Sequence, residues 1–118
     1  MQSVPREDFE KYLDREDVIK RLGGNQAILK TLLKKFLADV NEAKLKEALA
    51  AGDLEGAKTA SHNIKGLAGN LSLRALHKAA TDLNTALKAG EAPGEMPQTL
   101  YEISAKTVFV INAALAEG

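Results

Sequence analysis

Proline occurs only at positions 5, 93 and 97, so the chain from 6 to 92 runs without the residue that most forcibly ends a helix. Across that span apolar residues recur at threes and fours. Alanine, leucine, lysine and glutamate dominate, and these are strong helix formers. Strand-like alternation lasts nowhere beyond a few residues, and β-branched residues are scattered except in the run Val108–Ile111. The pattern specifies an all-α chain.

With 118 residues, 45% of them hydrophobic, the sequence suits one domain, 1–118, with enough surface to bury a real core. Sixteen basic residues balance sixteen acidic ones, so the global basic field expected of a nucleic-acid binder is missing. Cysteine is absent, which excludes disulfides, thiolate metal sites and cysteine nucleophiles and fits a reducing compartment. No apolar run approaches the ~20 residues of a membrane span, and the opening MQSVPREDFE has no apolar signal-peptide core. The expectation is a soluble cytoplasmic domain without a membrane or nucleic-acid partner. No surplus apolar face is evident, so a monomer is expected.

Residues 6–22 are predicted to form two short helices, the first carrying Phe9, Tyr12 and Leu13, the second capped by Asp14 and stopped by Gly23-Gly24. Asn25 caps a long helix, 25–51, whose rows Ile28, Leu32, Phe36, Val40 and Leu29, Leu33, Leu37 form its buried stripe. Gly52 ends it and Asp53 starts the next, 53–72, followed by 74–89 with Leu73, Leu76, Ala80, Leu83 and Leu87 in line. Glu91–Pro97 is the one evident loop, and a last helix covers 98–116. Four long helices on short connections favour an antiparallel up-down four-helix bundle, with the short N-terminal helices packed at one end.

In the helix 53–72, Ala57, Ser61, Ile64, Ala68 and Leu71 share one face. At about 100° per residue, His62 points roughly 140° away from the centre of that stripe, toward solvent. Lys58, Lys65, Gly66 and Gly69 lie at the i−4, i+3, i+4 and i+7 positions beside it. Two glycines inside a helix each weaken it by about 1 kcal/mol against alanine, which is tolerated where something approaches the backbone closely. Gly66, off the core stripe, suggests an approaching partner, and Gly69 fits either a partner or tight helix packing. A solvent-exposed imidazole is largely neutral at pH 7 and has a ring nitrogen free to attack an electrophile. Were the electrophile a phosphoryl group, Lys58 and Lys65 would offset the charge gained. Residues 58–90 hold Lys58, Lys65, Arg74, Lys78 and Lys88 against Asp82 alone, five minus one, a local +4 that would steer an acidic partner. His77 lacks such company and reads as structural or incidental. Neither histidine has carboxylates at ligand spacing, so no metal site is expected. No Gly-rich phosphate loop is present either.

The segment His62-Asn63-Ile64-Lys65-Gly66-Leu67-Ala68-Gly69-Asn70-Leu71 resembles the signature of histidine-containing phosphotransfer (HPt) domains. The likeness extends through Arg21-Leu22-Gly23-Gly24-Asn25 and Ala50-Ala51-Gly52-Asp53-Leu54, covering roughly residues 15–90. Ser72 departs from it, standing where many members carry glycine, which implies a tighter bend and no lost chemistry. The resemblance implies a phosphorelay intermediate, a phosphocarrier rather than an enzyme. Its histidine takes a phosphoryl group from the phospho-aspartate of a receiver domain and passes it to another receiver. By that resemblance His62 is the phospho-acceptor through Nε2, Lys65 stabilises the phosphoryl group, and Gly66 gives the receiver room to dock, with Gly69 a further candidate docking position from the helical wheel. Lys58 as charge support comes from the helical wheel alone. No cofactor is implied for this chain, because the receiver supplies the magnesium ion.

Two other readings share these residues. One is the phospho-acceptor domain of a larger hybrid sensor or chemotaxis-type histidine kinase, labelled from ATP by a kinase core. The other is an adaptor that binds a receiver and transfers nothing.

Overall fold

The computed structural model describes residues 3–117, so Met1, Gln2 and Gly118, at the ends of the expected domain, lie outside it. Every regular element among the described residues is helical. A 3-10 turn at Arg6–Asp8 leads into α1 (Phe9–Tyr12) and α2 (Arg15–Arg21). Then follow α3 (Gln26–Leu37), α4 (Asn41–Ala51), α5 (Leu54–Asn70), α6 (Arg74–Lys88) and α7 (Met96–Ala116). No helix among them is long and apolar enough to cross a membrane.

The capping signals act where the sequence places them. Asp14, Asn25 and Asp53 accept hydrogen bonds from the backbone N–H of Asp17, Ile28 and Gly56 at 3.1, 3.0 and 2.9 Å, satisfying a first-turn donor of α2, α3 and α5. Gly52 ends α4 in the left-handed conformation at φ 70°, and Asp53 N–H closes back on the Ala48 carbonyl at 2.8 Å.

The long helix expected over 25–51 is two helices. Ala38, Asp39 and Val40 interrupt it. Asp39 is the cause: its carboxylate accepts the Asn41 backbone N–H at 2.9 Å and the Asn41 side-chain amide at 2.8 Å, a local arrangement that competes with helix continuation. The break changes which face is buried. Leu29 and Leu33 are buried, but in the row Ile28, Leu32, Phe36, Val40 the two ends are 45% and 55% exposed and the middle is half-buried. The last helix also begins at Met96, two residues ahead of expectation. Pro97 sits in its first turn, where a missing N–H costs nothing. Its β-branched stretch stays helical because Val110 and Ile111 are buried in the core, and packing outweighs propensity.

α5 is packed between α4 and α6, and α6 also packs on α7. Leu45, Ile64, Leu76, Leu83, Leu100 and Ile111 meet in the interior. Lys46 of α4 lies over the Tyr101 ring of α7 at 4.6 Å, drawing the first and last of these four helices together. α1 packs on α6 and α7, where Phe9 meets Phe109 edge-on at 6.3 Å between centroids. Arg6 and Arg15 both bind the Glu117 carboxylate, tying the two ends of the described chain together.

Candidate functional site

α5 carries the site. Its buried side is Ala57, Ala60, Ser61, Ile64 and Ala68, all small except Ile64, so neighbouring helices approach closely along its length. That registration leaves His62 and Asn63 on the outside, both exposed, between the buried Ser61 and the buried Ile64.

The candidate residues around His62 differ in what surrounds them. Lys65 is half-buried and makes no ion pair among the described residues. Lys58 is 28% exposed, and its ammonium is directed to Glu55 at 3.3 Å, so its charge is shared. A Cβ built on Gly66 meets nothing within 4 Å, which makes the surface beside His62 open backbone. A Cβ on Gly69 would stand 3.2 Å from His77 Cδ2, and the Gly69 carbonyl accepts from Arg21 Nη1 at 3.3 Å. The bare backbone at Gly69 therefore has an internal use, since α6 packs His77 against it. Of the two uses left open for Gly69, that contact is one of helix packing, while His77 itself is exposed.

The local excess of positive charge is smaller than the sequence suggests. Of the five cations between 58 and 90, Lys58 pairs with Glu55, Arg74 with Asp14 at 2.6 Å and Lys78 with Asp82 at 2.8 Å. Five less three leaves Lys65 and Lys88 without an acidic partner among the described residues. Two of the three partners, Glu55 and Asp14, lie outside that window of sequence. Among the described residues no three His, Asp or Glu side chains converge to hold a metal ion.

At the far end of α5 the chain turns into α6 through Ser72, at φ 56° the one non-glycine residue with positive φ among those described. Its hydroxyl donates to Asp17 Oδ2 at 2.6 Å and its carbonyl accepts Asp14 N–H at 3.0 Å. Asp14 in turn accepts Arg74 Nε and Nη2 at 2.9 and 2.6 Å. The Ser72 hydroxyl, then Arg21 and Arg74, hold the Asp17 carboxyl below the usual carboxylate range, against partial desolvation. These contacts fasten α2 across the α5–α6 turn.

Sequence reasoning assigned no role to Asn84 of the α5–α6 interface and placed its partner Ser61 only on the buried face of α5. Both are buried, and the Asn84 amide donates to Ser61 Oγ at 2.9 Å. The available signal was Asn84's position, four residues after Ala80 and three before Leu87, in an otherwise apolar row.

An exposed histidine thus stands on an all-helical scaffold, with a lysine one turn later that makes no ion pair among the described residues and open backbone beside it. The Hpt domain model covers residues 31–116. This chain belongs to the Hpt domain family. Hpt domains are phosphocarrier modules for histidine phosphotransfer in phosphorelay signalling, and they interact with receiver domains of two-component systems. No curated protein and no solved structure matches the chain. The Hpt match runs further toward the C-terminus than the sequence resemblance, taking in α7.

Proposed function

We propose that this Hpt domain accepts a phosphoryl group on His62 from the aspartyl phosphate of one receiver domain and passes it to a second receiver. The observation that carries this reading is the exposed imidazole flanked by a lysine without a carboxylate partner among the described residues and by the open backbone at Gly66. The neutral imidazole attacks phosphorus through Nε2 while Nδ1 keeps its proton. The P–N bond forms as the P–O bond to the receiver aspartate breaks, and the aspartate leaves as carboxylate. Onward transfer is the reverse step with a second aspartate.

Lys65 lies one turn from His62 and neutralises charge gathering on the phosphoryl oxygens, with Lys58 a secondary support because Glu55 shares its charge. Gly66 lets the receiver surface come against α5. The receiver brings its own magnesium ion, so this chain supplies nucleophile, charge and docking surface rather than a complete active site. We read α4 to α7 as an antiparallel four-helix bundle, supported by the packing of α4 on α5, α5 on α6 and α6 on α7. The chain acts in this reading as a cytoplasmic monomer, its donor a receiver that stands alone or is part of a hybrid sensor kinase.

The test is transfer from a receiver prephosphorylated on aspartate, resolved on a phosphate-affinity gel, with wild type and His62→Gln side by side. Acid-labile, alkali-stable label on wild type alone, with helix content equal in both proteins, is the expected result. Label retained by His62→Gln removes His62 as acceptor. Label arriving only from ATP and a kinase core replaces the receiver as donor.

A further inference from the structure

We propose that the crevice beneath the α3–α4 break is a binding site for a small organic ammonium ion, an aromatic ring carrying a short protonated amine arm. Its volume is 270 Å³, and every helix from α3 to α7 contributes to its lining. The inner wall is Ile64 of α5 and Leu76 of α6, 4% and 1% exposed, so the opening reaches the core that these helices share. Phe36 and Leu37 of α3 form one edge and Val108 of α7 another, all three half-buried. The helix is interrupted at Ala38–Val40, directly after Phe36 and Leu37, and those two side chains stop short of closing over Ile64 and Leu76.

Protein interiors rarely leave unfilled space larger than one water molecule. This crevice has room for roughly nine, at about 30 Å³ each. It also exceeds the apolar cavity of about 150 Å³ that encloses a benzene ring, so a ring with a two-carbon arm fits. Leu37, Ile64, Leu76 and Val108 offer that ring apolar contact and removal from water.

The polar lining sets the sign of the ligand. Asp39 and Glu42 are the charged residues of the lining, which contains no lysine, arginine or histidine. Asp39 is held by neutral donors, the Asn41 backbone N–H at 2.9 Å and the Asn41 amide at 2.8 Å, which orient the carboxylate without cancelling its charge. No cation pairs with it among the described residues. Glu42 faces Lys46 at 3.6 Å, an ammonium that also lies over the Tyr101 ring. Ser104 adds a half-buried hydroxyl. An ammonium group carries three donors, which suit two carboxylates and a hydroxyl, whereas an anionic ligand would meet like charge at the mouth. The site asks nothing of His62, so it stands or falls apart from phosphotransfer.

The experiment titrates the full chain with 2-phenylethylamine, 2-phenylethanol and 3-phenylpropanoate, which share a ring and a short arm and differ in charge. Methyl resonances of Ile64, Leu76 and Val108 report occupancy, and those of Val18 and Leu54, outside the lining, serve as controls. The expected result is saturable shifts confined to the lining with a Kd of about 1 mM or tighter for the amine, and binding at least tenfold weaker for the carboxylate. Asp39→Asn/Glu42→Gln keeps the shape and the acceptor for the Asn41 N–H; it should weaken the amine roughly tenfold and leave 2-phenylethanol within about twofold. Ser104→Leu, which fills the crevice, should abolish binding of all three. Lining methyls that do not shift with the amine, a carboxylate that binds as tightly, or an Asp39→Asn/Glu42→Gln protein that binds the amine as wild type does each overturns the proposal. If Ser104→Leu does not fold cooperatively, the Asp39→Asn/Glu42→Gln comparison decides alone.

Discussion

The Ser72 hydroxyl donates to Asp17 Oδ2 at 2.6 Å while the Ser72 backbone stands at φ 56°, in the region that favours glycine. The side chain thus supplies a hydrogen bond at a position where its own Cβ strains the backbone. Replacing serine by alanine keeps the strain and loses the bond, whereas glycine loses the bond and relieves the strain. Ser72→Ala should therefore be less stable than Ser72→Gly by about 1 kcal/mol in urea unfolding. Equal midpoints for the two variants would show that the turn stores no strain.

The same pair sets a pH dependence. Asp17 is held below the ordinary carboxylate range chiefly by the Ser72 hydroxyl, with Arg21 and Arg74 helping. A carboxyl whose folded pKa is depressed contributes its stabilisation in full above the unfolded value and loses it as pH falls through the folded one. Asp17→Asn should be less stable than wild type at neutral pH, and the two stability curves should converge on acidification. Glu117, lowered by Arg6 and Arg15, titrates in both proteins and cancels in the comparison. A constant gap between the curves down to about pH 2 would contradict this account.

Gly66 and Gly69 should respond differently to alanine. Nothing lies near a Cβ at Gly66, so Gly66→Ala should raise stability by about 1 kcal/mol through helix propensity alone. On the proposed docking of a receiver against Gly66, it should also raise KM for a phosphorylated receiver. At Gly69 the added methyl meets His77, so Gly69→Ala should gain little until His77→Ala is introduced as well. Thermal melts of the four proteins and of the Gly69→Ala/His77→Ala double variant test both statements; full stabilisation by Gly69→Ala alone would remove the packing role of that glycine.

Lys65 and Lys58 should separate in the same way. Lys65→Ala should slow transfer roughly tenfold or more, whereas Lys58→Ala should have a smaller effect because Glu55 already shares its charge. Glu55→Gln frees the Lys58 ammonium and should make the later loss of Lys58 more costly to the rate. Single-turnover transfer rates for these variants decide it, and equal losses at the two lysines would mean that the ion pair opens when the receiver docks.

Much of the fold was legible because it is local chemistry. Asp14, Asn25 and Asp53 each mark the start of a helix by accepting a backbone N–H three residues on, a relation contained in four consecutive residues. The break at Asp39 was equally local, but the apolar row Ile28, Leu32, Phe36, Val40 spans it and suggested continuity. Periodicity reports which residues share a face and does not report whether a neighbour covers that face, so Ile28 and Val40 were assigned to a core that does not reach them.

The sequence by itself determined that the chain is helical, that His62 stands outside the apolar stripe of α5, and that a lysine and a bare backbone position accompany it. Spacing on one helix is sufficient for each of these. Only the tertiary structure decided which charges remain available and how α5 is tied to α6. Arg74 is neutralised by Asp14 from sixty residues away, and α5 is gripped at the Lys58 carbonyl by Asn84 of α6. Hydrogen bonds and ion pairs act over about 3 Å between atoms distant in sequence, and no pattern along the chain brings those partners together before the helices pack.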